Sequence, residues 1–213
     1  MPAVIDPPIS KSHVSAALLK QASPVLQSLG PMPRLFSVKE YDLMLASGVL
    51  REGEKSELLN GVINQLMTKG PKHCALTNRA ARIFDRAYGD RVMIRKEDPI
   101  ILDDHSEPEP DLVIARPDKT EYADRHPGPS DILLILEVAD SSLAYDRDEK
   151  GLAYARAGLP QFLLINVNNH TIVDYREPSA EGYRSQVTYV AGQSFTLVAF
   201  PDKRFVVNEF LPE

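Results

Sequence analysis

Apolar residues along this chain recur with two different periods, which predicts a mixture of helices and strands. Residues 73–88 carry apolar side chains at three- and four-residue spacing, which predicts an amphipathic helix. These side chains are Leu76, Ala80, Ile83, Phe84 and Ala87. Residues 132–136 read Ile-Leu-Leu-Ile-Leu, an unbroken run typical of a central strand that is buried on both faces. The pattern therefore predicts a sheet with helices packed against it.

Local cap and turn signals predict two further elements. Ser37 and Glu40 have the spacing of a capping box, so a helix is expected over residues 38–46. The Asn-Gly pair at 60–61 is a strong signal for a tight turn, because both residues tolerate positive φ. A β-hairpin is therefore expected over residues 56–66.

The rest of the chain consists mainly of predicted strands. A helix is expected over residues 145–157, because Gly158 and Pro160 end it. Strands are expected near residues 91–95, 99–102, 111–115, 161–166 and 171–176, and a C-terminal β-meander over roughly 183–190, 194–199 and 204–207. This order predicts a mixed α/β fold, with a central mixed sheet flanked by helices.

Residues 1–33 differ from the rest of the chain and are predicted to form an N-terminal extension. Prolines lie at both of its ends, and residues 10–28 between them carry the apolar residues of a loose helix. We expect the extension to be partly helical or mobile, and the folded domain to cover residues 34–213.

Composition narrows the class of protein. The formal net charge is −6, which argues against a high-affinity, non-specific DNA binder but leaves room for an enzyme with a local basic groove. No apolar run reaches membrane-spanning length, and the N-terminus lacks the pattern of a secretory signal. Cys74 is the single cysteine, so no internal disulfide is expected. A cytoplasmic protein with no membrane partner is predicted.

Four charged residues stand at the rims of apolar strands or on the helix that follows one. Glu57 belongs to the predicted hairpin, Asp111 begins a strand, and Glu137 directly follows the apolar run. A charge at such a position is costly unless it is paired, hydrogen-bonded or bound to a cation. Carboxylates that converge at one end of a sheet suit Mg²⁺ or Mn²⁺, and Lys150 would add positive charge beside a phosphate. The placement predicts a metal-dependent hydrolytic site.

Each of these residues also has a purely structural interpretation. Glu57 is compatible with a solvent-facing hairpin position, and Asp111 with turn chemistry. Glu137 is compatible with a strand end that reaches solvent, and Asp146 and Lys150 with an exposed i,i+4 ion pair. The functional interpretation requires all of them to lie together.

Two weaker signals concern the predicted helix over residues 73–88. His73 at its start is compatible with a contact to the site or to phosphate, although ordinary hydrogen bonds are the commoner role of a histidine at a helix start. Three arginines at helical spacing give either a phosphate-facing strip or a solvated helix face. They are Arg79, Arg82 and Arg86.

Several short motifs occur in a fixed order along the chain. They are Glu-Leu-Leu-Asn-Gly at 57–61, His73, Pro-Asp at 110–111, Glu-Val-Ala-Asp-Ser-Ser at 137–142, Asp146 to Lys150, Tyr154 and Ala-Gly at 157–158. Their order and spacing resemble the Uma2 (DUF820-like) family of restriction endonuclease-like proteins, within the PD-(D/E)xK nuclease superfamily. The resemblance spans about residues 34–210. It implies a restriction endonuclease-like core and a Mg²⁺- or Mn²⁺-dependent endonuclease with DNA as its substrate.

The resemblance also implies roles for individual residues. Asp111 matches the motif aspartate, Glu137 the acidic residue of the second half-motif, and Glu57 an earlier glutamate, so these three are the implied metal ligands. Ala139 stands where the superfamily usually has its lysine, and Lys150 on the following helix matches a displaced lysine. The implied catalytic set is therefore these three carboxylates with Lys150.

Three further residues are expected to contact substrate or to support the metal ligands. They are His73, Asp146 and Ser141. Like Ala139, Asn166 departs from the pattern that the resemblance implies, because members of the family tend to have an aspartate at this position.

The leading expectation is an endonuclease that hydrolyses DNA phosphodiester bonds. A homodimer is expected, because cutting two strands needs two sites. Two alternatives stay open at this stage. One is a nucleic-acid-binding module that kept the fold and lost turnover, and the other is an oligomeric scaffold or regulator.

Overall fold

The computed structural model describes residues 33–51 and 55–212 of the chain. Residues 1–32 of the predicted extension lie outside the described residues. The helix expected there, and the domain boundary at residue 34, therefore stay predictions.

The described part of the chain alternates between helices and strands. In chain order the elements are α1 Val38–Ala46, β1 Ser56–Leu59, β2 Val62–Gln65, α2 Pro71–Tyr88, a 3₁₀ turn Gly89–Arg91, β3 Met93–Arg95, β4 Leu112–Ala115, β5 Ile132–Ala139, a π-helix Tyr145–Lys150, α3 Gly151–Arg156, β6 Gln161–Asn166, β7 Thr171–Ser179, β8 Gly182–Tyr189, β9 Ser194–Leu197, β10 Phe200–Val206 and α4 Val207–Phe210. Most lie within a few residues of their predicted positions.

The cap and turn signals of the sequence form as predicted. Ser37 and Glu40 make the reciprocal bonds of a capping box at the start of α1. Asn60 and Gly61 connect β1 to β2 with φ angles of 51° and 77°, which is the backbone that an Asn-Gly turn favours. Both signals are local, because each involves residues no more than a few positions apart.

Six strands form the central sheet in the order β3-β4-β5-β6-β7-β8. Strands β5 and β6 run parallel and the other neighbours are antiparallel, so the sheet is mixed, as predicted. Every residue of β5 is buried, which confirms the apolar run as a central strand. Strands β9 and β10 form a separate two-stranded sheet, so the predicted C-terminal meander is not continuous.

Two apolar cores cover the two faces of β5. Leu134, Leu136 and Val138 pack with α2, β9, β10 and α4, where the rings of Phe84 and Phe205 lie 5.2 Å apart. Ile135 and Ala139 pack on the other face with α3, where the rings of Tyr154 and Phe162 lie 5.4 Å apart. Burial of one such aromatic side chain stabilises the fold by about 1.5–3 kcal/mol. The alternation of side chains directs Glu137 toward the α3 face.

Two predicted elements differ from the structure. Residues 99–102 do not form a strand, and Ile100 and Leu102 are instead buried in a loop that bonds to the segment 106–108. Prolines in both segments lack the amide hydrogens that a strand ladder requires. The helix predicted over 145–157 begins as a π-helix, in which the amide of Gly151 bonds to the carbonyl of Asp146.

Candidate functional site

A cleft of about 680 Å³ opens where the start of β4 meets the end of β5. These two strands are antiparallel neighbours, so Asp111, just before β4, lies beside Glu137 near the end of β5. The other walls are the loop before α2, the loop after β5 and the π-helix. The fold therefore brings together segments that are far apart in the sequence.

The carboxylate of Asp111 is held on both of its oxygens. Its Oδ1 lies 2.7 Å from Nζ of Lys69 and 2.9 Å from Nε2 of His73, and its Oδ2 accepts the amide of Val138 at 2.8 Å. Burial works to raise the pKa of Asp111, but the His73 hydrogen bond and the Lys69 charge outweigh it and hold the pKa well below its usual range. Asp111 is therefore ionised and accepts a hydrogen from Nε2 of His73.

Glu137 joins Asp111 to Lys150. Its Oε2 accepts the backbone amide of Asp111 at 3.0 Å, and its Oε1 lies 2.7 Å from both Nζ of Lys150 and the hydroxyl of Tyr154. Burial raises the pKa of the Glu137 carboxyl, and the charge of Lys150 offsets only part of that rise.

Lys150 is a buried ammonium with two carboxylate partners. Its Nζ lies 3.3 Å from Oε2 of Glu57 and donates to the carbonyl of Glu109 at 3.3 Å, besides its contact with Glu137. Burial works to lower the pKa of Lys150, but the two glutamates outweigh it and raise the pKa well above its usual value. The side chain therefore keeps its charge inside the protein.

Glu57 supports this cluster from behind the cleft. It is fully buried and is absent from the residues that line the cleft. Its Oε1 accepts the hydroxyl of Tyr145 at 2.8 Å, and its Oε2 accepts the amide of Glu109 at 2.9 Å. These contacts, with the one to Lys150, use its oxygens to hold other residues, and its expected role as a metal ligand stays a prediction.

The π-helix supplies three residues to the cleft. Tyr145, Asp146 and Lys150 all line it, and Asp146 accepts the hydroxyl of Ser142 at 2.5 Å. Burial raises the pKa of Asp146. A π-turn inserts an extra residue into a helix and is frequent at functional sites, because it redirects the side chains that flank it. Ser141 also lines the cleft, at its exposed rim.

The solvent-exposed interpretations of these charged residues are wrong. Glu57 and Glu137 are at most 2% exposed, so neither is a solvent-facing hairpin or strand-end group. Asp111 is buried in a bend directly after Pro110, and its interpretation as turn chemistry stays a prediction. Asp146 and Lys150 are likewise buried, and Lys150 pairs with Glu137 and Glu57 instead of forming a surface ion pair with Asp146. The sequence prediction that these charges lie together is correct.

Sequence reasoning missed Lys69, which contacts Asp111 directly. It lies in the loop between β2 and α2, and its Nζ is also 3.2 Å from Oε1 of Glu97. A loop lysine before a Gly-Pro helix start carries no pattern that marks it as part of a site. The arginine strip of α2 does not line the cleft, and Arg82 and Arg86 are exposed.

The donor set suits a hard divalent cation. Within residues 33–51 and 55–212, no group of three or more His, Cys, Asp and Glu side chains is arranged to hold a metal ion. Mg²⁺, however, is usually bound through one or two carboxylates, with water and substrate phosphate completing its shell. Asp111 and Glu137 provide two carboxylates in one cleft, so the residues fit Mg²⁺ or Mn²⁺.

The central mixed sheet and its flanking helices define a mixed α/β protein with a cluster of buried charges in one cleft. The profile of the Uma2 family, described as "Putative restriction endonuclease", matches residues 38–207. The chain belongs to the Uma2 family.

A solved structure shares this fold. It is "a putative nuclease belonging to DUF820" from Anabaena variabilis, with a TM-score of 0.66 and 14% sequence identity. The alignment covers 83% of this chain and 97% of the other. No curated protein matches the chain. Among the described residues, none of the helices has the length and apolar character needed to cross a membrane.

Proposed function

We propose that this protein is a Mg²⁺- or Mn²⁺-dependent endonuclease that hydrolyses DNA phosphodiester bonds. The observation that carries the proposal is one arrangement in the cleft. Asp111 and Glu137 come from neighbouring strands and share the cleft, and Nζ of Lys150 lies 2.7 Å from Glu137. Two carboxylates beside a buried ammonium can hold a divalent cation and stabilise negative charge on a scissile phosphate.

In this proposal Asp111 and Glu137 hold the divalent cation through their carboxylate oxygens. When bound, the cation lowers the pKa of water and neutralises charge on the scissile phosphate. Lys150 keeps its positive charge at Glu137, where it stabilises negative charge that develops on the phosphate. The backbone amides of Asp111 and Val138 keep the two carboxylates oriented, because each donates to one of them.

Glu57 and Tyr145 act as positioning residues. Glu57 holds Lys150 on one oxygen and Tyr145 on the other, so it links the hairpin to the π-helix. His73 donates to Asp111 from the first turn of α2 and faces the cleft, where a phosphate would lie. Asp146 and Ser141 complete the wall on the side of the π-helix.

A plasmid cleavage assay tests the proposal. Supercoiled DNA is incubated with the protein in Mg²⁺ or in EDTA, and Asp111→Asn and Lys150→Met are compared with wild type. Both variants are expected to cut at least about 100-fold more slowly. Lys96→Met is the matched control, because Lys96 is exposed and bonds to Asn78 outside the cleft. If wild type and Asp111→Asn show the same trace cleavage, the proposed endonuclease activity is wrong.

One observation favours a second function, a nucleic-acid-binding protein without turnover. The two carboxylates proposed to hold the cation already have ammonium partners, Lys69 at Asp111 and Lys150 at Glu137. A cation must compete with these partners. A mobility shift that weakens with salt, persists in EDTA and is never followed by cleavage would favour this function.

The homodimer and the cytoplasmic location are further parts of the proposal. A dimer would give two clefts for the two strands of DNA. Sedimentation of the full chain, with and without DNA, measures its oligomeric state directly.

A further inference from the structure

Lys69 links the cleft to the protein surface through a row of alternating charges. Its Nζ lies 2.7 Å from Oδ1 of Asp111 and 3.2 Å from Oε1 of Glu97, and Glu97 in turn lies 3.2 Å from Lys55. The side chain of Lys69 is 19% exposed, whereas that of Lys55 is 56% exposed. Lys69 is therefore the member of the row that is enclosed at the cleft.

The oxygen that Lys69 contacts has no remaining hydrogen-bonding capacity. Oδ1 of Asp111 accepts hydrogen bonds from Nζ of Lys69 and from Nε2 of His73, and a carboxylate oxygen has only two lone pairs. A cation that binds Oδ1 must therefore replace one of these two donors. His73 is 7% exposed and belongs to α2, whereas Lys69 stands on a loop.

The displaced ammonium would keep a partner. Oε1 of Glu97 also contacts Nζ of Lys69, so release from Asp111 does not leave the lysine without a carboxylate partner. Burial works to lower the pKa of Lys69, but Asp111 and Glu97 outweigh it and raise the pKa, so the side chain is a full positive charge.

We propose that Lys69 is a resident cation on Oδ1 of Asp111, that a divalent ion bound at this oxygen displaces it, and that Lys69 thereby sets the metal affinity of the cleft. This inference rests on the proposed function, since it takes Asp111 as a metal ligand. The physical basis is competition, because the lysine and a metal ion at Asp111 would share one carboxylate group and repel each other at short range.

Binding of Mn²⁺ to the metal-free full-length protein, followed by electron paramagnetic resonance of the free ion, tests the inference without any cleavage. Lys69→Met is expected to bind Mn²⁺ about tenfold more tightly than wild type. Lys55→Met is the matched control. It removes the other lysine at Glu97 without touching Asp111, and is expected to stay within about twofold of wild type. Lys69→Gln carries the same expectation should the methionine disturb the loop.

The outcomes separate this inference from the proposed function. If wild type binds Mn²⁺ in a way that Asp111→Asn abolishes, and Lys69→Met and Lys69→Gln bind no more tightly, Lys69 is only a structural ion pair and the inference is wrong. If neither wild type nor the Lys69 variants bind Mn²⁺, the metal-dependent function itself is wrong. Tighter binding in Lys69→Met and Lys55→Met alike would also overturn the inference, because it would report a general loss of positive charge.

Discussion

The hydroxyl of Tyr154 and the ammonium of Lys150 meet at the same carboxylate oxygen, Oε1 of Glu137, each at 2.7 Å. Tyr154 is fully buried, and burial together with Glu137 raises its pKa well above the usual value. The phenol is therefore a permanent donor to the carboxyl group of Glu137, which is itself only 2% exposed. It fixes the orientation of Glu137 from the side of α3.

Tyr154→Phe is expected to lower the free energy of unfolding by about 1–2 kcal/mol, because the variant leaves a buried oxygen with one donor fewer. Tyr183→Phe is the control, since that hydroxyl donates to the neutral carbonyl of Leu159 at 3.0 Å. Its loss is expected to cost about 0.5–1 kcal/mol. Urea denaturation measures both. Equal costs would contradict the special role of Glu137 as an acceptor.

The pair formed by Glu57 and Lys150 is expected to be strongly coupled. Glu57→Gln leaves a buried ammonium with one carboxylate fewer, and should destabilise the fold by about 2–4 kcal/mol. In a double-mutant cycle with Lys150→Met, the coupling energy is expected to exceed about 1 kcal/mol. The exposed pair of Arg147 and Asp148, with a contact of 2.6 Å, provides the control cycle.

Coupling in that control cycle is expected to stay below about 0.5 kcal/mol, since solvent screens the two charges. Similar coupling energies in the two cycles would show that the burial of Lys150 does not strengthen its interaction with Glu57.

Stability should depend on pH through Glu107, which lies outside the cleft. Burial raises the pKa of Glu107 to about 7, and the charges of Asp42 and Glu109 add to the rise. Its Oε2 is buried without a hydrogen-bond partner, and its Oε1 lies 3.7 Å from Nε2 of His126. Between the usual pKa and about 7 the folded state binds more protons than the unfolded state, so stability falls as pH rises.

Glu107→Gln removes the cost of ionising this buried carboxyl group. The stability of the variant relative to wild type is expected to increase by about 1–3 kcal/mol when the pH is raised from 5 to 8. Guanidinium denaturation at both pH values measures the gain, and Glu181→Gln on the exposed turn serves as control. A gain of the same size at both pH values would show that ionisation of Glu107 is not its cause.

Position 61, in the turn of the hairpin that carries Glu57, should not accept a side chain without a cost in stability. A Cβ at Gly61 would lie 2.6 Å from Cβ of Leu35, and the residue has a φ of 77°. Gly48 has a similar φ of 72° with nothing within 4 Å of its Cβ position. Gly48→Ala is therefore expected to cost about 1–2 kcal/mol from backbone strain alone.

Gly61→Ala should cost about 1–3 kcal/mol more than Gly48→Ala, because the overlap with Leu35 adds to the same strain. Thermal unfolding compares the two variants. If their costs are equal, Leu35 moves aside without penalty, and the hairpin is less tightly packed than the structure shows.

Local rules predicted the local elements of this fold well. The capping box of α1 and the Asn-Gly turn involve residues at most three positions apart, so the sequence already contains both partners. Pattern reasoning failed where distant segments decide the outcome. Residues 99–102 have strand-like composition, but the segment that bonds to them contains Pro108, which has no amide hydrogen to complete a ladder.

The sequence by itself determined the order of the elements, the central position of β5 and the family of the protein, because these follow from short-range patterns and motif order. Only the tertiary structure decided which buried charged and polar groups bond to one another. Tyr145 reaches Glu57 across 88 residues of chain, and Lys69 reaches Asp111 across 42. The partner of a buried charge is the group that the fold brings within hydrogen-bonding distance, and the spacing of residues along a chain does not contain that distance.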